Sequence, residues 1–74
     1  MGMVIFNGAK LKSVRESLNK TQVELAEAAD TTDRYVQSLE SGEKKDPSAS
    51  IVYGFAIFLE IPMEELMTVI TEHT

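Results

Sequence analysis

Few side chains in this sequence could carry out catalysis or bind a metal. The chain has 1 histidine and no cysteine, and His73 stands close to the carboxyl end, where disorder is common. Glu64 and Glu65 are adjacent, so on a helix they would point about 100° apart and could not work together as a carboxylate pair. The 4 glycines have neither of the spacings typical of a phosphate-binding loop. The residues therefore predict no enzyme, no metal site and no cofactor.

The most regular pattern lies between residues 21 and 42, where two short helical repeats are joined by a tight corner. Thr21 is followed three residues later by Glu24, which predicts a capping box at the start of a helix. After a break, a second helix is predicted from a cap at Thr32 to Gly42, a residue suited to a left-handed helix end. Two helices joined in this way predict a helix-turn-helix.

Similar signals predict three further helices. The first runs from about Ala9 to Leu18, and the fourth opens at Pro47 and continues through Leu59. A fifth is predicted to start after Pro62, with its apolar positions at Met63, Leu66, Met67 and Ile70. We therefore expect one all-α domain of five helices over residues 1–74, with its core at about residues 6–70.

Composition limits the functions open to the chain. With 74 residues it forms a single small domain with a modest core. No apolar stretch approaches membrane-spanning length, and the opening MGMVIFN lacks the basic start and cleavage site of a signal peptide, so we expect a cytoplasmic protein. The net charge is −5, from 7 basic and 12 acidic residues. This sign opposes long-range attraction to nucleic acid.

Five sequence blocks nevertheless resemble, in their order and spacing, the Cro and phage-repressor type of helix-turn-helix domain, the XRE-like family. The resemblance covers roughly residues 6–67, and its blocks are LKSVRESL, TQVELAEAA, VQSLESG, DPS and LEIPMEELM. It implies a compact lambda-repressor-like DNA-binding domain with the helix-turn-helix at helices 2 and 3. The implied partner is double-stranded DNA.

The resemblance also implies that helix 3, over about residues 32–41, enters the major groove. The positions that match the base-reading surface are Gln22, Asp33, Arg34, Gln37 and Ser38. The Arg34 guanidinium could bridge two acceptors of guanine, and the two glutamine amides suit adenine or a phosphate. Asp33 departs from the usual pattern, since a carboxylate in the groove is tolerated only near a cytosine amino group or beside Arg34. The alternative is a solvated helix face.

Phosphate contacts are implied at a second set of positions, namely Thr21, Thr32, Tyr35, Ser41, Lys44 and Lys45. Tyr35 could equally pack partly into the core. Residues 21–46 hold 3 basic and 7 acidic side chains, a balance of −4, so backbone amides at helix starts would have to supply part of the attraction.

Arg15 and Glu40 match positions that form an ion pair between helix 1 and the end of helix 3 in several phage repressors. Such a pair fixes orientation more than it adds stability, although removing one partner strands a charge. We therefore expect it to hold helix 3 at its angle.

Helices 4 and 5 carry more apolar side chains than one small core can bury, and such surface implies association. The residues concerned are Tyr53, Ile57, Phe58, Ile61, Met67 and Ile70. A homodimer through these helices would space two copies of helix 3 about 34 Å apart. The alternative is that the amino-terminal MVIF segment folds over them.

Two functions follow from these observations. The first is a sequence-specific DNA-binding transcriptional regulator that occupies operator DNA, a dimeric repressor that reads the major groove with helix 3. The second is a protein-binding module of the same fold, antitoxin-like or an adaptor, which uses the apolar surface of helices 4 and 5. The acidic charge favours the second function, and the retained Gln22, Arg34, Gln37 and Lys45 favour the first.

Overall fold

A computed structural model describes residues 2–71, so His73 lies outside the described residues. Four α-helices and a short 3-10 helix are flanked by two strands. In chain order these are β1 (Gly2–Phe6), α1 (Gly8–Ser17), α2 (Gln22–Ala28), α3 (Asp33–Ser41), α4 (Ala49–Leu59), the 3-10 helix (Met63–Leu66) and β2 (Met67–Thr71).

Each α-helix begins at a residue whose side chain accepts a hydrogen bond from the first turn. The four caps are Asn7, Thr21, Thr32 and Ser48. At Thr21 both halves of the capping box with Glu24 are present, as the sequence predicts. The predicted left-handed end of α3 is also confirmed, with Gly42 at a φ of 86°. Local side-chain chemistry thus sets the bounds of the helix-turn-helix.

The core is entirely apolar among the described residues, and every helix contributes to it. Its largest fully buried side chains are Phe55, Leu11, Leu25, Leu39, Leu66 and Val36. α2 and α4 approach closely at Gly54, where an added β-carbon would lie 2.9 Å from the Ala29 Cα. None of the described helices has the length and apolar character needed to cross a membrane.

The predicted fifth helix is wrong. After Pro62 the chain forms one 3-10 turn, which buries Leu66, and then continues as β2. β2 pairs antiparallel with β1, with Phe6 opposite Met67 and Val4 opposite Val69. The segment Met67–Thr71 is rich in β-branched residues, which favour strands. Its partner strand comes from the other end of the chain, so the described fold is mostly helical with a small sheet.

Only part of the amino-terminal segment covers the core. Phe6 is buried, whereas Met3, Val4 and Ile5 are exposed. Asn7 follows the strand and ties it down, because its backbone amide donates to the Leu66 carbonyl at 2.8 Å and its side-chain amide donates to the Thr68 hydroxyl at 3.0 Å. The β1–β2 pair therefore extends from the core with apolar side chains left in contact with solvent.

Candidate nucleic-acid interface

The exposed side of α3 holds most of the predicted base-reading residues. Asp33, Arg34 and Gln37 are exposed, and Ser38 is half-buried. They line a shallow groove together with other residues of α3 and the loop that follows it, namely Thr32, Tyr35, Ser41, Glu43 and Lys44. The opposite side of α3 is fixed by Val36 and Leu39, which are buried in the core.

Arg34 and Gln37 are available to a ligand. Among the described residues, neither side chain forms a hydrogen bond, and Arg34 forms no ion pair with Asp33 or any other carboxylate. The two residues are three apart on a helix and so are neighbours on its surface. The structure therefore presents a guanidinium and a carboxamide side by side towards solvent.

The serine hydroxyls of α3 are already used as donors. Ser38 Oγ donates to the Tyr35 carbonyl at 2.8 Å, and Ser41 Oγ donates to the Ser38 carbonyl at 3.1 Å. A hydroxyl has one hydrogen and two acceptor lone pairs. In this arrangement both hydroxyl hydrogens are used within α3, and the oxygen lone pairs of both serines can accept from a ligand.

Gln22 also forms a hydrogen bond within the domain. Its side chain is half-buried, and Nε2 donates to Glu40 Oε1 at 3.0 Å. The start of α2 lies against the end of α3, so the amide nitrogen is directed inward rather than towards a base. The amide oxygen and the second hydrogen of Nε2 have no hydrogen-bond partner among the described residues.

Arg15 and Glu40 lie at the centre of a polar network that joins α1, α2 and α3. Arg15 Nε donates to Glu40 Oε2 at 2.7 Å and Nη2 donates to Oε1 at 3.0 Å. Arg15 Nη1 donates to the Lys20 carbonyl at 2.9 Å. The side chains are only 12% and 3% exposed. The hydrogen bond to Glu40 raises the pKa of Arg15 above its ordinary value.

The two threonine caps keep a donor for an external acceptor. Thr21 Oγ1 accepts from the Glu24 amide, and Thr32 Oγ1 accepts from the Tyr35 amide. Because each cap uses a lone pair, the hydroxyl hydrogen stays available. The ring of Tyr35 packs partly against the core, which leaves only part of its surface open to a ligand.

The loop after α3 carries the two lysines of the predicted phosphate set. Lys44 and Lys45 are exposed, and the Lys44 amide donates to the Ser38 carbonyl at 3.0 Å. This bond holds the start of the loop against the last turn of α3. Lys44 is therefore at the edge of the groove that Arg34 lines.

The negative charge of residues 21–46 is unevenly distributed around α3. The groove lining holds Asp33 and Glu43 against Arg34 and Lys44, a formal balance of zero. Glu40 is neutralised by its buried partner Arg15. The groove is therefore less acidic than the segment around it. Within residues 2–71, no three aspartate, glutamate or histidine side chains cluster where they could hold a metal ion.

Comparison with known proteins fits this geometry. A family model described as Helix-turn-helix matches residues 11–66. The chain belongs to this helix-turn-helix family. Its Cro and phage-repressor type members are DNA-binding transcription regulators rather than enzymes. No curated protein sequence matches the chain.

Solved structures of three regulators resemble this helix-turn-helix domain over 80% of its length. The biofilm master regulator SinR, in complex with DNA, is 25% identical, with a TM-score of 0.74 over 94% of that chain. The restriction-modification controller C.AhdI of Aeromonas hydrophila is 27% identical, with a TM-score of 0.73 over 88% of its chain. The clp gene regulator ClgR of C. glutamicum is 30% identical, with a TM-score of 0.70 over 75% of its chain. A chain in a structure of the SinR–SinI protein complex also resembles this domain, with 25% identity and a TM-score of 0.73 over 57% of that chain.

The residues expected at a dimer interface do not form one helical surface in this helix-turn-helix domain. Tyr53 and Ile57 are exposed on α4, while Ile70 is exposed on β2. The others, Phe58, Ile61 and Met67, are half-buried and pack against the core. The Lys20 ammonium lies 5.3 Å from the centre of the Phe58 ring, which covers part of that ring by a cation–π contact.

Two features of the site were missed from the sequence. The first is the bond from Gln22 to Glu40, for which the sequence offers no signal beyond the position of Gln22 at the start of α2. The second is the pair of apolar strands. The β-branched run near Val69 was a usable signal, but its helical apolar spacing outweighed it.

Proposed function

We propose that this chain is a cytoplasmic, sequence-specific DNA-binding transcription regulator that acts as a dimeric repressor, with α3 in the major groove. One observation carries the proposal: Arg34 and Gln37 are exposed together on a helix whose far side is held by core packing and by the Arg15–Glu40 pair. A recognition helix needs both properties, because side chains read bases only when the helix orientation is fixed.

Base reading would centre on Arg34. Its guanidinium matches the N7 and O6 acceptors of guanine, and the neighbouring Gln37 amide matches the N7 and N6 atoms of adenine. Asp33 would accept from a cytosine amino group and disfavour other bases at that position. Ser38 would act as an acceptor only, since its hydrogen is donated to Tyr35. Gln22 would contribute its amide oxygen and the Nε2 hydrogen that is not donated to Glu40.

Phosphate contacts would flank this reading surface. Lys44 and Lys45 are exposed beside the end of α3, and the Thr32 hydroxyl hydrogen is available at its start. These groups would position the helix on the duplex without reading sequence. The contacts of Thr21 and Tyr35 are proposed to be weaker additions of the same kind.

The decisive experiment is selection of binding sites from a random DNA pool at low salt, followed by affinity measurements with variants. Arg34→Lys keeps the charge but loses the planar fork, so it should lose about 1–3 kcal/mol of discrimination at one base pair. Lys45→Ala should weaken binding to all sequences about equally. Recovery of no enriched site from the unaltered protein would contradict the proposal.

A second candidate is a protein-binding module that uses α4. Tyr53 and Ile57 are 57% and 60% exposed, and with Gly54, Phe58 and Ala28 they line a small apolar groove. The net charge of −5 favours this candidate over DNA binding. It predicts no affinity for duplex DNA at low salt, together with loss of partner binding in Ile57→Lys.

A further inference from the structure

The two-stranded sheet formed by β1 and β2, called the ribbon below, has apolar side chains on both faces. On one face Val4 and Val69 are 58% and 64% exposed, next to the anchored pair Phe6 and Met67. The other face carries Met3, Ile5 and Ile70, which are also exposed. A sheet that simply faced water on one side would be polar there. The ribbon therefore has more apolar surface than its own domain covers.

Neither edge of the ribbon pairs with a further strand of the described chain. In an antiparallel pair of strands, directly opposite residues are alternately hydrogen-bonded and not hydrogen-bonded to each other. Because the Asn7 amide donates to the Leu66 carbonyl directly opposite it, the next hydrogen-bonded pairs are Ile5–Thr68 and Met3–Ile70. The backbone groups of Val4 and Val69 then point outward. An isolated pair of strands is only marginally stable, whereas sheets of four strands are common.

Neither strand of the ribbon contains a charged residue, although the whole chain carries a net charge of −5. Two copies of an acidic protein repel one another through most of their surface. The ribbon itself contributes no charge to this repulsion, and five of its apolar side chains are exposed. Val4 lies at the middle of a five-residue strand. Its outward amide and carbonyl can therefore bond with the carbonyl and amide of Val4 in a second copy, related by a twofold axis, when the two strands pair antiparallel. The same holds for Val69 in β2.

We infer that the ribbon binds the ribbon of a second copy of this chain, so that a four-stranded sheet crosses the twofold axis of a homodimer. The self-complementary edge and the absence of charge both point to an identical partner rather than to a charged peptide. α3 packs on α1 and α2, whereas the ribbon continues from the 3-10 helix, which packs on α1 and α4. A second copy at the ribbon would therefore leave the exposed side of α3 open.

The inference identifies the interface of the dimer in the proposed function, but it does not depend on DNA binding and can fail separately from DNA recognition. The test is sedimentation equilibrium over a concentration series without DNA. The unaltered protein should be dimeric, and Val69→Lys should raise the dimer dissociation constant about tenfold or more by burying a charge at the interface. Val23→Lys is the matched control, since Val23 on α2 is 52% exposed and the same Val-to-Lys change is made there. It should leave the dimer unchanged.

Two proline variants test the pairing of the edges. Val4→Pro and Val69→Pro each remove one outward amide while leaving the bonds across the ribbon in place. One of them should weaken the dimer and so identify the paired edge, with helical circular dichroism as the check on folding. A monomeric unaltered protein, a dimer lost in Val23→Lys but kept in Val69→Lys, or species larger than a dimer would each overturn the inference. A stable dimer that selects no DNA site would overturn only the proposed function.

Discussion

Gly8, in the first turn of α1, lies directly against the backbone of Leu39 in α3. A β-carbon at residue 8 would lie 1.9 Å from the Leu39 carbonyl oxygen and 2.9 Å from its carbonyl carbon. Since these are backbone atoms, no side-chain movement could make room. The contact brings the amino end of α1 against the last turns of α3, so the position of α3 depends on the absence of a methyl group at residue 8.

Gly8→Ala should therefore destabilise the domain by about 3 kcal/mol, at the upper end for overpacking, despite the better helix propensity of alanine. Chemical denaturation gives the free energy of unfolding. Ser13→Ala, at an exposed position of the same helix, should leave that free energy nearly unchanged. Equal stability of Gly8→Ala and the unaltered protein would show that α1 and α3 can separate at little cost.

Arg15→Met should destabilise the domain more than replacement of both Arg15 and Glu40. The single change leaves the Glu40 carboxylate, 3% exposed, without its cation, and stranding a buried charge costs about 3–5 kcal/mol. The double variant Arg15→Met/Glu40→Leu removes both charges and should recover most of that loss. Its DNA affinity should remain low, because α3 then lacks its polar connection to α1.

A double-mutant cycle measures the coupling between the two residues. Single losses that simply add in the double variant would contradict the assignment of Arg15 and Glu40 as one unit.

Lowering the pH should destabilise the first turn of α2, because it protonates the Glu24 carboxylate. The backbone amide of Thr21 donates to Glu24 Oε1 at 2.8 Å, and this bond is the main reason that the pKa of Glu24 lies below its ordinary value of 4.5. Because the pKa of Glu24 is lowered in the folded state, the contribution of this carboxylate to the free energy of unfolding is complete above pH 4.5. That contribution is lost as the pH falls through the folded-state pKa.

Glu24→Gln should reduce the dependence of stability on pH in that range, while Glu27→Gln, an exposed position of the same helix, serves as the control. Thr21→Ala removes the side-chain half of the box and should cost about 1 kcal/mol. Thermal unfolding at several pH values provides the measurement. Identical pH profiles for the two glutamine variants would exclude Glu24 as the responsible carboxyl.

The salt dependence of DNA binding should show whether the two lysines of the loop after α3 contact phosphates. The slope of log affinity against log salt is negative, and Lys44→Ala and Lys45→Ala should each make it about 1 less negative if each lysine contacts a phosphate. Lys12→Ala, on the exposed side of α1, gives a comparison with the same loss of charge. A slope unchanged in both loop variants would remove this loop from the DNA interface.

The sequence was informative where structure is decided within a few residues. Thr21 with Glu24, Thr32 and Gly42 each act on the adjacent turn, so the two central helices could be placed from their caps. Arg34 and Gln37 could be assigned to the surface because Val36 and Leu39 fix which side of α3 is buried.

Features that depend on distant partners were harder to infer. Val69 becomes part of a strand only because Val4, 65 positions earlier, supplies the other side of the pair. Gln22 turns inward only because Glu40, held by Arg15, presents an acceptor there. Neither relationship leaves a pattern in one short stretch, so residue spacing alone could not reveal it.

The pairing of β1 with β2 also imposes an order on biosynthesis. Because β1 bonds to residues 67–71, it stays without its partner until a ribosome has released the chain through β2, whereas the helical hairpin formed by α2 and α3 can assemble earlier. During that interval the strand containing Val4 is unpaired and prone to mispairing with neighbouring nascent chains. Crowded polysomes should thus be the setting in which this small domain is most vulnerable.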